Sequence, residues 1–472
     1  MGLLAIAISV AAALLVGALA RGTWRTTLLL ILSVLAVYWF QPVIPLRSFD
    51  FWLPSLTLAF VILTWLVTST GDAWRRRQNL YALLLIVGVA TVLALSRYFL
   101  PKPILTATTP PSFLQYLFLV LILVVFILLL FQLSRRGSSQ TITFVIVLLI
   151  AALVILKTPA LSQQASILFR SLANRPVDGA LATDLRWLGF SYIGFRLIHV
   201  LRDRQTGRLP ELSLPEFATY VVFFPSLAAG PIDRAERFAG DLRKEFRLTQ
   251  DETLSAGRRL AIGLFKKFVI ADALALIALN DALALQVRST FWMWAVTYAY
   301  AFQIYFDFSG YTDIAIGTAR LAGVRLPENF AGPYLKPNLA QFWNSWHITL
   351  TQWIRSYFFN PFNRWLRGFK TMPPWTMLLL GQLSTMLLIG LWHGITVNFV
   401  LWGLWHGFGL FIHNRWSDFA RRRFNVTDTR KQTALKLGGI FLTFNFVALG
   451  WVFFALTGPG LSWMVFRKLF GM

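Results

Sequence analysis

Cysteine is absent from the 472-residue chain. That excludes disulfides, thiolate zinc sites, palmitoylation and an acyl-cysteine intermediate, so any covalent nucleophile is Ser, Thr or another side chain. Charge is also scarce. Only 14% of residues are charged, against about 25% in soluble domains, which excludes an ordinary cytoplasmic protein and a disordered or fibrous chain. Acids are scarcest of all: 20 Asp+Glu face 44 Lys+Arg, for a net charge of +24. On a soluble protein that excess would suggest nucleic acid. Here the basic residues form short clusters between apolar runs, the pattern of cytoplasmic loops facing anionic lipid, and no nucleic-acid partner is expected. No stretch alternates like a barrel strand. Internal repeats, low-complexity segments and long linkers are also missing, so 1–472 reads as a single membrane-embedded domain.

What is present is apolar sequence: 57% of the chain is hydrophobic and mean hydropathy is +0.61. Runs long enough to cross a bilayer lie near 2–20, 26–41, 50–70, 79–96, 112–133 and 139–156, then near 184–201, 216–232, 257–279, 290–309, 374–392, 396–414 and 434–457. Each span needs about 20 residues. Some runs are interrupted, so the expected fold is an all-α polytopic membrane protein with roughly eleven to thirteen spans and some re-entrant or interfacial helices. The run from Gly2 to Ala20 ends in a mimic of a signal cleavage site, Ala18-Leu19-Ala20. It has no basic residue ahead of it and reads as a retained helix. Loops after the first, third and fifth spans carry Arg21, Arg25, Arg75, Arg76, Arg77, Arg135 and Arg136, whereas those after the second and fourth carry Arg47, Arg97 and Lys102. The bias predicts an external amino terminus.

The first 170 residues hold two acids, Asp50 and Asp72, and no histidine. Residues 1–175 therefore read as a helical scaffold, 180–415 as a catalytic core and 430–472 as a C-terminal helix. From Asp178 onward acids, histidines and amides appear inside apolar sequence, where they are costly in lipid and tend to face a protein interior or wet cavity. Between Asp233 and Arg259 a charged stretch spaces Phe238, Leu242 and Phe246 four apart. That spacing predicts an interfacial helix, with a docking surface for an anionic donor as the alternative.

Four of the five histidines, His347, His393, His406 and His413, lie in one 67-residue window; the fifth is His199. His347 follows Gln341-Phe342-Trp343-Asn344-Ser345-Trp346, and His393 sits in Gly390-Leu391-Trp392-His393-Gly394. His406 sits in Trp402-Gly403-Leu404-Trp405-His406-Gly407. A buried neutral imidazole is a good base near pH 7, and the adjacent glycines admit close approach of a backbone or substrate. The alternative is that the rings satisfy helix–helix hydrogen bonds. No compact ligand spacing is present, so no metal is expected.

These segments, preceded by Phe224-Pro225-Ser226-Leu227-Ala228-Ala229-Gly230-Pro231-Ile232, Tyr305-Phe306-Asp307-Phe308-Ser309-Gly310-Tyr311-Thr312-Asp313 and Leu326-Pro327-Glu328-Asn329-Phe330, resemble the membrane-bound O-acyltransferase superfamily. The likeness covers about Leu185 to Gly407 and is nearest to its bacterial branch of alginate O-acetylation and lipoteichoic acid D-alanylation proteins. The resemblance implies a helical bundle in the bacterial cytoplasmic membrane, with a funnel reaching the bilayer midplane. It implies acyl transfer from a cytoplasmic thioester to an acceptor on the other side. The family's near-invariant histidine falls on His393 and its second polar site on His347. His406 matches a third recurring position, read with Trp346, Trp392 and Asp307 as packing or tunnel lining. His199 and His413 match nothing. Relatives usually read Arg-Asp-Tyr where this chain has Arg355-Ser356-Tyr357, which bears on substrate subtype. Asp307 and Asp313, six apart, fall on different helical faces and suggest a structural role, capping or hydrogen-bonding broken helices near Gly310, rather than an acid/base pair.

The expected mechanism is direct transfer. His393 takes the proton of the acceptor hydroxyl, and His347 with Asn344 donates to the oxyanion. No bound cofactor is expected; the donor is acetyl-CoA or an acylated carrier protein. The expected acceptor is an exported or cell-envelope polysaccharide or, as the resemblance implies, a partner acetyltransferase that relays the group, with acetyl favoured. D-Alanyl transfer from a carrier protein to a teichoic-acid-type polymer is the alternative, and a non-catalytic transporter or export scaffold is the alternative of another class.

Overall fold

The computed structural model describes residues 2–136, 138–424 and 428–472. Among the described residues the regular elements are helices, and strand geometry is limited to an isolated bridge between Phe330 and Trp346. The protein is an all-α polytopic membrane protein. Seven described helices are long and apolar enough to cross a bilayer, fewer than the eleven to thirteen spans expected. The 216–232 run is stopped by Pro225, Gly230 and Pro231, leaving a helix of nine residues. The 257–279 run divides into a helix, a π-helical segment and a single short turn.

One compact unit contains Met1–Leu260 and Ile314–Pro327. Its helices are α1 (Leu3–Leu19), α2 (Gly22–Trp39), α3 (Phe49–Thr68), α4 (Arg77–Phe99), α5 (Phe113–Arg136), α6 (Ser138–Lys157) and α7 (Pro159–Leu172). Then come α8 (Phe190–Gln205), α9 (Leu214–Val222), α10 (Ala235–Arg243) and most of α11 (Gln250–Leu264). Burial sorts them: 61% of the apolar window of α3 is covered by protein but only 11% of that of α5, so α3 is central and α5 presents its leucines outward, as a lipid-facing helix does.

Hydrogen bonds gather the loops of this unit at two ends. At one end the buried Arg25 donates to the carbonyls of Asp241, Leu242 and Lys244, Arg76 pairs with Glu211, and Gln205 donates to the Ser139 carbonyl. At the other, Asp50 accepts from Thr108, and Gln41 accepts from the Leu188 amide. The alternation matches the order of the arginine-rich and arginine-poor loops. The expected 233–259 helix is instead two: α10 ends at Arg243, with Phe238 and Leu242 buried. Phe246 lies beyond it, against the Arg25 guanidinium. Its spacing of four holds only while the chain is helical, and the helix stops three residues short.

The second unit contains Ala261–Asp313 and Glu328–Met472. It begins with the end of α11 and a π-helical segment, Phe265–Ala271, then α12 (Asp272–Ala275), α13 (Asp281–Gln286) and α14 (Thr290–Leu321), whose last turns from Ile314 belong to the first unit. It continues with α15 (Leu339–Trp343), α16 (Ile348–Ile354), a π turn (Arg355–Phe359) and α17 (Asn360–Leu366). Last come α18 (Pro374–His393), α19 (Val397–Arg423), α20 (Thr429–Ala455) and α21 (Pro459–Leu469). Helices α18 and α19 form a close hairpin. A Cβ on Gly403 would lie 2.8 Å from the Met386 carbonyl, and one on Gly407 would lie 3.0 Å from the Leu383 Cα. Glycines four apart on one face let the two backbones touch, the small-residue packing of membrane helices. Gly407, beside His406, thus serves helix approach.

Candidate active site

All the site residues expected from the sequence fall in the second unit. His347 caps α16 with a left-handed backbone, φ 45°. A non-glycine residue held there is uncommon and requires its surroundings to enforce it. The enforcing partner is the segment Glu328–Ala331, which runs antiparallel to the turn. The Ile348 amide donates to the Asn329 carbonyl at 2.9 Å, and the Ala331 amide donates to the Ser345 carbonyl at 3.0 Å. The Asn329 side chain is fully buried. Its Oδ1 accepts from the Thr349 amide and hydroxyl and lies 3.3 Å from His347 Nδ1. The ring of Phe308, from α14, meets the His347 imidazole edge-on at 4.7 Å.

His393 is the last residue of α18. Its ring is partly exposed and packs against Phe454 at 4.7 Å and Phe399 at 5.9 Å. Trp392 links the two histidines, 4.5 Å from His393 and 6.2 Å from His347. The structure therefore brings His347 and His393 against one indole.

A cavity of about 170 Å³ lies between α15, α16, α18 and α19. Trp343, Asn344, Arg355, Gln382, Ile389 and Asn414 are among the residues that line it. Its walls are mostly apolar. Gln382 Oε1 and the Trp343 indole N–H are buried without a hydrogen-bond partner, so one acceptor and one donor await polar groups. Along α18 the lining ascends from Gln382 to Ile389, one turn before His393. Along α19 it extends to Asn414, toward the Arg421–Arg423 end of that helix.

The remaining expected residues are dispersed. Asn344 is exposed and its Oδ1 accepts from Arg355 Nη2 at 2.8 Å. Trp346 is buried between Phe342, Tyr334 and Trp451. His406 is fully buried between Trp343 and Trp402. Asp307 pairs with Lys267 and Asp313 with Lys266, at 2.7 Å for the latter. These pairs tie α14 to the π-helical segment, whose backbone comes so close that a Cβ on Gly310 would lie 2.8 Å from the Lys267 nitrogen. Helix α14 runs unbroken through Gly310, so the glycine admits a neighbour rather than breaking a helix. His199 is paired with Asp203 at 3.0 Å, in the first unit. Among the described residues no cluster of three metal-ligating side chains occurs.

Sequence reasoning did not assign roles to Asn329, Lys266, Lys267 or Gln382. The paired lysines inside an apolar run were a readable signal of burial with acids. Gln382 had none beyond being an amide in a spanning helix.

Several known proteins share sequence with more than half of this chain. A teichoic acid D-alanyltransferase of Streptococcus thermophilus is 30% identical over 303 residues, 59% of this chain and 71% of that protein. A probable alginate O-acetylase of Pseudomonas syringae pv. tomato is 36% identical over 268 residues, 57% of this chain and 48% of the relative. A peptidoglycan O-acetyltransferase of Helicobacter pylori is 35% identical over 263 residues, 54% and 47%. The chain thus spans about half the length of the latter two. The profile of the membrane-bound O-acyltransferase family matches residues 137–457, which include α18, α19, His347 and His393, and the chain belongs to that family.

Proposed function

We propose that the protein is a membrane O-acyltransferase that moves an acyl group, acetyl by preference, from a cytoplasmic thioester to a hydroxyl of a cell-envelope polymer or of a partner acetyltransferase. The observation that carries this reading is the cavity between α16, α18 and α19. Its walls are mostly apolar, it holds one unpaired acceptor and one unpaired donor, and its lining along α18 ends at Ile389, one turn before His393. A phosphopantetheine arm, common to acetyl-CoA and carrier proteins, is an apolar thread with amides that need such partners. The arginine-rich end of α19 stands on the cytoplasmic side by the loop bias, with the amino terminus outside.

In the reaction the acceptor oxygen attacks the thioester carbonyl while His393 takes the hydroxyl proton. The tetrahedral intermediate collapses, the C–S bond breaks, and the imidazolium returns its proton to the departing thiolate. The products are an ester and a free thiol. His393 ends α18, where the helix dipole favours the positive charge that develops. Holding donor and acceptor at one point replaces a bimolecular encounter by an oriented one.

The test is thiol release from acetyl-CoA, acetyl-carrier protein or D-alanyl-carrier protein by the purified full chain, with and without envelope polysaccharide. Acceptor-dependent release from an acetyl donor supports the proposal, and release only from the D-alanyl donor would move the chain to teichoic acid chemistry. Silence with every donor, in folded protein, would leave a scaffold.

A further inference from the structure

The hydrogen bonds around Asn329 determine which nitrogen of His347 carries its proton. The Thr349 amide can only donate, and it donates to Asn329 at 3.2 Å. The atom that receives it is therefore the amide oxygen, and the same oxygen lies 3.3 Å from His347 Nδ1. An oxygen cannot donate, so Nδ1 supplies the hydrogen. Burial disfavours the imidazolium, so the ring carries a single proton, and Nε2 bears the lone pair.

We infer that Asn329 is a positioning residue that holds His347 in the Nδ1–H tautomer, so that the ring's Nε2 is a hydrogen-bond acceptor and not the oxyanion donor expected from the sequence. The inference rests on the proposed acyl transfer for its kinetic consequence, but the tautomer is independent of activity. A thioester carbonyl offers only acceptors, whereas the attacking alcohol and a pantetheine amide offer hydrogens. An accepting Nε2 suits one of these X–H groups and cannot serve a developing oxyanion. At metal sites, partners that fix the tautomer of a ligating histidine matter by about 10–100-fold, and a loss of that order is expected here.

Two measurements test this. In ¹⁵N-histidine-labelled full-length protein in lipid, subtraction of the His347→Asn spectrum isolates the His347 ring. A protonated Nδ1 is expected, and a protonated Nε2 overturns the inference whether or not the protein turns over. In kinetics, Asn329→Ala should lower kcat about 10–100-fold with little change in donor KM. Asn329→Asp keeps the accepting oxygen and should restore most of the rate. It also favours the imidazolium, and a protonated Nε2 cannot accept, so the acidic limb of the rate profile should move to higher pH. Thr349→Val loosens the same turn but leaves the oxygen facing Nδ1. Loss in Thr349→Val equal to that in Asn329→Ala, with an unmoved profile in Asn329→Asp, would reduce Asn329 to a turn-former.

Discussion

At the scale of single residues the two histidines differ in kind. His393 is partly exposed at a helix end, while His347 is buried on a left-handed turn. If His393 is the base, His393→Ala should leave the protein folded, with unchanged thermal stability, and cut turnover by about two to four orders of magnitude. Equal loss of stability and activity would instead make it a packing residue. Alanine is a poor probe at position 347, because it loses the ring and also strains the φ of 45°. Asparagine tolerates that conformation and isolates the loss of the imidazole. The candidate residues were legible in the sequence, since histidines and amides in apolar runs announce themselves. Their partners were not. Asn329 lies 18 positions from His347, and nothing in local periodicity joins a loop to a turn.

At the scale of elements the hairpin of α18 and α19 depends on side chains that are absent. Gly403→Ala would press a methyl against the Met386 carbonyl, and a loss of about 1–3 kcal/mol is expected from such overpacking. Gly438→Ala, where a Cβ meets open space, should cost nothing, and thermal unfolding in detergent compares the two. A second element-level contact is α7 with the 181–184 turn. Burial opposes ionisation of Asp184, but hydrogen bonds from Ser166, the Leu181 amide and Arg170 outweigh it and hold the carboxyl below its usual range. A depressed carboxylate adds stability above its unfolded pKa of about 3.9, and that contribution is lost as pH falls through the folded value. Asp184→Asn should therefore remove part of the acid-dependent loss of stability seen by unfolding below about pH 4. Hydropathy alone located α2 to α6, because those helices are continuous and apolar. It overran at 216–232 and at 257–279. A window average weighs apolar content and is blind to the prolines that end α9 and to the extra residue per turn of a π segment.

At the scale of the whole molecule the loop bias and the hydrogen bonds agree on which loops share an end, while the assignment of that end to the cytoplasm rests on arginines alone. The cysteine-free background makes this simple to examine. Arg47→Cys should react with a membrane-impermeant maleimide in intact cells and Arg76→Cys only after lysis. The reverse pattern would invert the protein. The two compact units also interleave in the chain, since Ile314–Pro327 returns to the first unit after 261–313 has been given to the second. Within the first unit the returning segment is fastened by the Arg325 amide to Asp241 and by Arg320 and Arg325 to Glu252. Biosynthesis inherits that order. The first unit stays incomplete while the ribosome adds the roughly 70 residues beyond Leu260, a delay of about 3–14 s at ordinary elongation rates. During that interval Glu252 and Asp241 wait for their arginines, and the early helices must persist in the membrane on their own packing until Arg325 emerges.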